Sequence, residues 1–116
     1  MTERKDIFKL LKAAGLPTAY RQWKPAKPPD MPYIVYLERD RRDFHADNSN
    51  YVKRRAWCVE LYSSGKDEAS EAAIERQFEK AGISYSRTEH DPKEYAASEA
   101  ASLSDYYMVA WYFETI

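Results

Sequence analysis

Two alternating segments and the polar stretch between them constrain the fold more than any other feature. The segments "YIVYLERD" (33–40) and "YVKRRAWCVELYSS" (51–64) are rich in β-branched and aromatic residues with a period of two, which predicts two β-strands. Only the short polar stretch "RRDFHADNSN" (41–50) separates them, so the two strands form a long hairpin. The faces of the second strand are predicted to carry Trp57, Val59 and Leu61 on one side, and Ala56, Cys58, Glu60 and Tyr62 on the other.

Two other segments have the spacing of amphipathic helices. In "DIFKLLKAAGLP" (6–17), apolar residues recur at helical spacing until Gly15 and Pro17 end the pattern. In "EASEAAIERQFEKAGI" (68–83), Ile74 and Phe78 lie on one stripe, and Gly82 ends the helix. Each helix therefore has one apolar side that must pack against another element.

The remaining segments complete an α+β pattern. Further strands are predicted at "TAYRQW" (18–23), "SYSRTEH" (84–90) and "YYMVAWYFETI" (106–116), whereas the proline-rich "KPAKPPDMP" (24–32) is an extended connector. The segment 91–105 begins with an N-cap Asp and a Pro, which favours a short helix or an ordered loop. The order α-β-β-β-α-β-β predicts one domain over residues 1–116, with an antiparallel or mixed sheet of four to five strands and both helices on one face.

Charge is distributed unevenly along a chain whose net charge is only −1. Residues 1–37 hold seven basic and three acidic groups, residues 38–55 hold six and four, and residues 60–105 hold five and eleven. This balance excludes a globally basic nucleic-acid-binding protein. It is consistent with ordinary surface solvation, or with two complementary faces through which copies of the chain stack head to tail.

The sequence shows no membrane or secretion signal. No apolar run approaches the roughly 20 residues that span a bilayer, and the start "MTERKDIFKLL" is a charged helix without the apolar stretch of a signal peptide. We therefore expect the chain to remain in the cytosol where it is made. Cys58, the single cysteine, lies in an apolar strand and is expected to be a packed thiol rather than a nucleophile.

The hairpin tip "RRDFHADN" (41–48) has residue types found in catalytic and metal sites. Asp43, His45 and Asp47 could bind a cation, but an irregular tip lacks the rigid helical spacing or the Cys/His count of a specific metal motif. Neither histidine has a Ser or Cys nucleophile in a recognisable elbow, and three glycines provide no phosphate loop. The Asp and Asn residues at 47–50 are better explained as turn formers. We predict no catalysis, no metal site and no cofactor.

The hairpin also carries arginines and lysines that could contact nucleic acid. Arg39, Arg41 and Arg42 lie on one strand, and Lys53, Arg54 and Arg55 on the other, near Phe44 and Tyr51. Four acidic residues share the stretch, which leaves a local excess of two positive charges. A small nucleic-acid-binding or regulatory module that uses the hairpin 39–55 is therefore the alternative function, and salt bridges to a neighbouring protein are an equally good explanation of the charges.

Several stretches together resemble a known family. They are "LLKAAGLPTAYRQW", the strand entry "PPDMPYIVYL", the tip "DFHADN", the strand end "VELYSSGKD", the strand "GISYSR" and the aromatic last strand. In this layout, which covers most of the chain, the sequence resembles the small tail-terminator proteins of long-tailed bacteriophages. The segment 91–105 is longer than the tight hairpin that this family pattern has there.

The resemblance implies a structural protein of the virion. Such a protein has an α/β fold and forms a homo-oligomeric ring, usually a hexamer, at the junction of tail and neck. The ring caps the tail tube, halts polymerisation of the tube protein and joins the tail to the head-completion or connector protein, while DNA passes through without specific binding. The implied location is the virion, and the host cytoplasm before assembly.

Under this resemblance two groups of residues acquire candidate roles. The hairpin is expected to reach a neighbouring subunit or the tube end through Arg41, Arg42, Asp43, Phe44, His45 and Asp47, with Phe44 as the apolar anchor. The second helix, if it faced the channel, would repel passing DNA through its acidic residues Glu68, Glu71, Glu75 and Glu79. The alternative is that this acidic helix is an ordinary solvated surface.

Overall fold

A computed structural model describes residues 3–21, 29–41, 44–45, 51–52, 54–90 and 107–115, with only the backbone at 40–41, 44–45 and 51–52. Its helices are α1 (Arg4–Lys12) and α2 (Glu68–Lys80). Its strands are β1 (Thr18–Tyr20), β2 (Tyr33–Arg41), β3 (Phe44–His45), β4 (Tyr51–Val52), β5 (Arg55–Ser63), β6 (Ser86–His90) and β7 (Tyr107–Thr115). The predicted α+β order is confirmed. The predicted helix or loop at 91–105 and most of the proline-rich connector lie outside the described residues.

Five of the strands form one mixed sheet in the order β1-β2-β5-β7-β6. β1 pairs with β2 in parallel, and the other neighbours pair antiparallel. β5 is the central strand and pairs with β7 along its whole length, from Arg55↔Thr115 to Ser63↔Tyr107. β1 ends at Tyr20, three residues into the predicted segment 18–23, because Arg21 adopts a left-handed conformation (φ 65°). Residues 22–23 of that segment lie outside the described residues.

Both helices begin and end where side chains and glycines can satisfy the helix termini. At the start of α1, the Asp6 carboxylate accepts a hydrogen bond from the Glu3 backbone N–H at 2.8 Å. At the start of α2, Asp67 accepts one from the Ser70 N–H at 3.1 Å. Gly82 follows α2 with φ 70°, a conformation that glycine adopts without steric cost.

The core lies between the two helices and one face of the sheet. Ile7 and Leu11 of α1, together with Ile74 and Phe78 of α2, have at most 1% of their surface exposed. They pack against the predicted inner face of β5 and its neighbours, which consists of Ile34, Tyr36, Trp57, Val59, Leu61, Val109, Trp111 and Phe113. The prediction that both helices cover the same face is confirmed.

The face of the sheet opposite the helices is also largely covered at its centre. Cys58 and Ala110 are buried there, while the rings of Tyr33 and Tyr62 stack with centroids 5.4 Å apart. Burial, and then the nearby Glu60 carboxylate, raise the pKa of the Cys58 thiol to about 11, which favours a protonated, packed side chain. No helix within the described ranges is long and apolar enough to cross a membrane.

A matched pair of Phe→Ala substitutions tests this core. The Phe78 ring is fully buried against the rings of Tyr85, Trp111 and Phe113, so Phe78→Ala should lower the free energy of unfolding by about 3–5 kcal/mol. Phe8 has 38% of its surface exposed, and Phe8→Ala should cost about 1 kcal/mol or less. Urea unfolding of both variants measures the difference, and equal losses would contradict the described core.

Candidate interaction surfaces

The hairpin between β2 and β5 extends beyond the rest of the sheet. The β2–β5 pairing runs from Tyr33↔Tyr62 to Glu38↔Trp57, shifts register, and resumes at Arg41↔Arg55. β3 and β4 then pair with each other as a separate two-stranded sheet. A register shift of this kind bends and twists a strand pair locally. We call residues 39–55 the hairpin arm.

The predicted contact residues of the hairpin arm are only partly described. The backbone of Arg41 lies in β2, and the backbones of Phe44 and His45 form β3. Arg42, Asp43 and Asp47 lie outside the described residues. The contacts of these six side chains therefore stay predictions.

At the base of the hairpin arm, cationic side chains are engaged within the chain. The Arg55 guanidinium donates two hydrogen bonds to the Glu38 carboxylate, at 2.8 and 2.9 Å. The Glu38 hydrogen bonds raise the pKa of Arg55, so the pair stays charged. Arg39 lies over the Tyr112 ring at 5.0 Å, and Arg54 lies 3.8 Å from the Glu114 carboxylate. Three of the six basic residues proposed for nucleic-acid contact thus have intramolecular partners.

A pocket of about 410 Å³ opens beside Arg55, between the start of α1 and the ends of β1 and β2. We call it the basic pocket; it is lined by Glu3, Arg4, Lys5, Tyr20, Glu38 and Arg55. The guanidinium of Arg4 lies 4.6 Å from the centre of the Tyr20 ring, and that of Arg21 lies 5.4 Å from it. The Tyr36 ring meets Tyr20 edge-on at 5.1 Å.

Sequence reasoning did not identify the basic pocket. The basic excess of residues 1–37 was the only signal that pointed to this region. The residues of the basic pocket come together because α1 docks beside the sheet and because β1 pairs in parallel with β2, which places Tyr20 opposite Tyr36. Neither of these tertiary arrangements follows from a local sequence pattern.

The second charged region is a network of ion pairs between α2 and β6. Arg87 of β6 donates to Glu75 at 2.6 Å, to Glu71 at 2.5 Å and to Glu89 at 3.2 Å. Lys66 donates to Glu71 at 2.9 Å and to Glu89 at 2.8 Å. We call these five residues the Arg87 cluster. The cluster joins an edge strand to the helix that covers it.

The Arg87 cluster divides the predicted acidic face of α2. The side chains of Glu71 and Glu75 are directed to Arg87 at the sheet, with 5% and 22% of their surface exposed, so they do not belong to an outward face of the monomer. Glu68 and Glu79 are exposed. Spacing along the helix could not distinguish the bound Glu71 and Glu75 from the exposed glutamates. The arginine that binds them lies on another element, β6.

Hydrogen bonds keep Glu75 and Glu89 of the Arg87 cluster ionised. Burial alone would raise the pKa of Glu75, but hydrogen bonds from the Trp111 indole N–H (2.9 Å) and from Arg87 lower it below its usual value. The hydrogen bonds donated by Lys66 and by the Tyr107 hydroxyl lower the pKa of Glu89 to about 2. Among the described side chains, one buried oxygen, Glu71 Oε2, has no hydrogen-bond partner.

No protein-family model matches the chain, and no curated protein matches it in sequence. Within the described ranges, no group of three or more His, Cys, Asp or Glu side chains is arranged to hold a metal ion.

The lowered pKa of Glu89 predicts a pH-dependent effect of Glu89→Gln. Because the folded-state pKa lies below the ordinary value, the carboxylate stabilises the fold at neutral pH, and this contribution is lost as pH falls from about 4.3 to about 2. Glu89 is 41% exposed, so solvent screening limits the expected loss in Glu89→Gln to about 1 kcal/mol at pH 7.

Urea unfolding of the wild type and Glu89→Gln at a series of pH values measures this difference. The exposed Glu79→Gln is the matched control and should show a smaller, nearly pH-independent change. A difference between wild type and Glu89→Gln that grows on acidification would contradict the assignment.

Proposed function

We propose that the chain is a structural protein of a long-tailed bacteriophage. It forms a homo-oligomeric ring that caps the tail tube, stops its polymerisation and joins the tail to the head-completion or connector protein. The proposal rests on the resemblance of the sequence to tail-terminator proteins. The structural observation that supports it best is the hairpin arm, whose β3–β4 part lies beyond the last β5–β7 pair, Arg55↔Thr115.

A two-stranded hairpin in water is marginally stable without a third strand or a packed face. β3 and β4 pair only with each other among the described strands. Contact with another subunit or with the tube end would supply a packed face, which is why the hairpin arm is the proposed assembly element.

The distribution of charge supports a head-to-tail arrangement of subunits. Residues 3–21, which include α1 and β1, hold five basic and two acidic groups, whereas residues 66–90, which include α2 and β6, hold four and six. β1 and β6 are opposite edges of the five-stranded sheet. Unlike edges of this kind fit the heterologous contacts from which a ring is built.

The remaining parts of the proposal concern partners and location. Glu68 and Glu79 are the α2 carboxylates that could face a channel and repel passing DNA, since Glu71 and Glu75 are bound in the Arg87 cluster. We place the ring at the tail–neck junction of the virion, and its subunits in the host cytoplasm before assembly. It acts without catalysis or cofactor.

A nucleic-acid-binding or regulatory module is the second candidate. The arginines of the hairpin arm favour it, but Arg55 is held in a two-bond ion pair with Glu38, and Arg54 lies near Glu114. Their charges are therefore partly neutralised within the chain. For this reason we favour assembly over nucleic-acid binding.

Substitution of the proposed anchor tests the assembly role. The wild type should sediment as a closed oligomer, and Phe44→Ala should shift the equilibrium to monomers by about tenfold or more, since an apolar anchor at an interface commonly contributes over 1.4 kcal/mol. The thermal unfolding midpoint of the dilute monomer should not change. Sedimentation velocity and circular dichroism measure the two quantities.

Phe44→Leu is the matched control, because it keeps an apolar side chain and should retain most of the assembly. If Phe44→Ala unfolded the monomer, Phe44 would belong to the core and the hairpin arm would lose its anchor. If Phe44→Ala assembled like the wild type, the contact would be made elsewhere.

A further inference from the structure

The basic pocket has the properties of a binding site for a carboxylate. We propose that it binds an acidic peptide segment of a protein partner, with a carboxylate held between Arg4 and Arg21 on the face of Tyr20. This goes beyond the proposed function, because such binding requires neither a ring nor a tail tube.

Two cationic side chains converge on the Tyr20 ring. Arg4 comes from the first turn of α1 and Arg21 from the residue after β1, yet both guanidiniums lie within 5.4 Å of the centre of the Tyr20 ring. In the part of the chain that the structure describes, no carboxylate lies at ion-pair distance from either one. Their mutual repulsion is relieved when an anion enters between them.

The contrast with Arg55 and Arg87 makes this observation specific. Arg55 is bound by the Glu38 carboxylate, and Arg87 is bound by three glutamates. Arg55 of β5 and Arg87 of β6 are thus neutralised by carboxylates of the chain itself. Arg4 instead lines the pocket beside Tyr20, and Arg21 lies over the same ring.

The backbone of Arg21 adopts an unfavourable conformation. Its φ of 65° lies in the left-handed region, which is unfavourable for a residue with a Cβ and is occupied most readily by Gly or Asn. The conformation is held by a hydrogen bond from the Arg21 N–H to the Tyr36 carbonyl at 2.8 Å, and by one from its guanidinium to the Glu38 carbonyl at 3.1 Å. An arginine fixed in a strained conformation is preorganised, which suits a binding role better than a packing role.

The carboxylates in the lining of the basic pocket determine which anion fits. Glu3 and Glu38 also line the pocket, so a continuous polyanion such as a nucleic-acid strand would meet two negative charges there. A single carboxylate on a flexible stem can avoid them: it can accept hydrogen bonds from the guanidiniums while its methylene groups lie on the Tyr20 ring. A volume of about 410 Å³ accommodates one or two such side chains.

Binding of a labelled peptide tests the proposal. We would measure the fluorescence anisotropy of a fluorescein-labelled oligo-glutamate peptide with the full-length protein at low salt, and compare it with an oligo-glutamine peptide of the same length. The glutamate peptide should bind, and the glutamine peptide should not. Arg21→Asn, which tolerates the left-handed backbone, and Arg4→Gln should each weaken binding about tenfold.

The control variant is Lys12→Gln, which removes an exposed cation from the far end of α1 and should leave binding within about twofold. Unfolding midpoints establish that each variant is folded, and Arg4→Gln tests the site even if Arg21→Asn fails to fold. Equal binding of the two peptides, or equal losses in Lys12→Gln and Arg4→Gln, would overturn the proposal.

A single-stranded oligonucleotide of the same charge provides the last comparison. Tighter binding of the oligonucleotide, lost in Arg4→Gln and Arg21→Asn, would overturn the peptide assignment and make the pocket a nucleic-acid site. These measurements are made at protein concentrations where the chain has one oligomeric state. A negative result would therefore count against the pocket and not against the ring, whatever that state is.

Discussion

The pairing of β5 with β7 is the constraint on which the rest of the structure depends. β5 is bonded on both sides, to β2 and to β7, and its inner face supplies Trp57, Val59 and Leu61 to the core. The buried Trp57 indole N–H donates to the Thr115 hydroxyl at 2.9 Å, which ties the end of β7 to the strand from which the hairpin arm departs. The hairpin arm, for which we propose contacts outside the subunit, thus continues from the strand with the most inter-strand pairs. The two helices cover one face of this strand, and β1 and β6 form the two edges of the sheet.

The two edges of the sheet use charged residues for different purposes. At the β6 edge, Arg87 and Lys66 are surrounded by glutamates, and removal of one partner would leave a buried carboxylate uncompensated, so this network belongs to the stability of the fold. At the β1 edge, Arg4 and Arg21 share an aromatic ring without an ion-pair partner among the described residues. The paired charges of the β6 edge stabilise the fold, whereas we propose that Arg4 and Arg21 at the β1 edge bind a ligand. The uneven charge of the sequence therefore corresponds to a real asymmetry of the molecule, although much of the acidic excess is neutralised internally.

Strand and helix patterns made the architecture predictable from sequence. The alternation around Trp57 gave the inner and outer faces of β5, and glycines after each helix gave their ends, because these signals are local. The predicted length of β1 was wrong, because the left-handed backbone at Arg21 ends the strand three residues into the predicted segment. The basic pocket was not predicted, and the acidic face predicted for α2 was only partly present. Both features depend on which side chains of distant segments come into contact. Patterns of spacing report periodicity along one element, but they do not report the partner across the sheet.

We propose that copies of this chain assemble head to tail through complementary edges and the hairpin arm. The most direct measurement is the molar mass of the wild-type protein by light scattering behind a sizing column, over a range of protein and salt concentrations. Head-to-tail assembly predicts a closed oligomer, near the six subunits usual in the family that the sequence resembles, whose mass reaches a plateau with rising protein concentration. The mass should fall at high salt, because salt screens the attraction between the oppositely charged edges. A monomer at every concentration, or a mass that rises without limit, would contradict it.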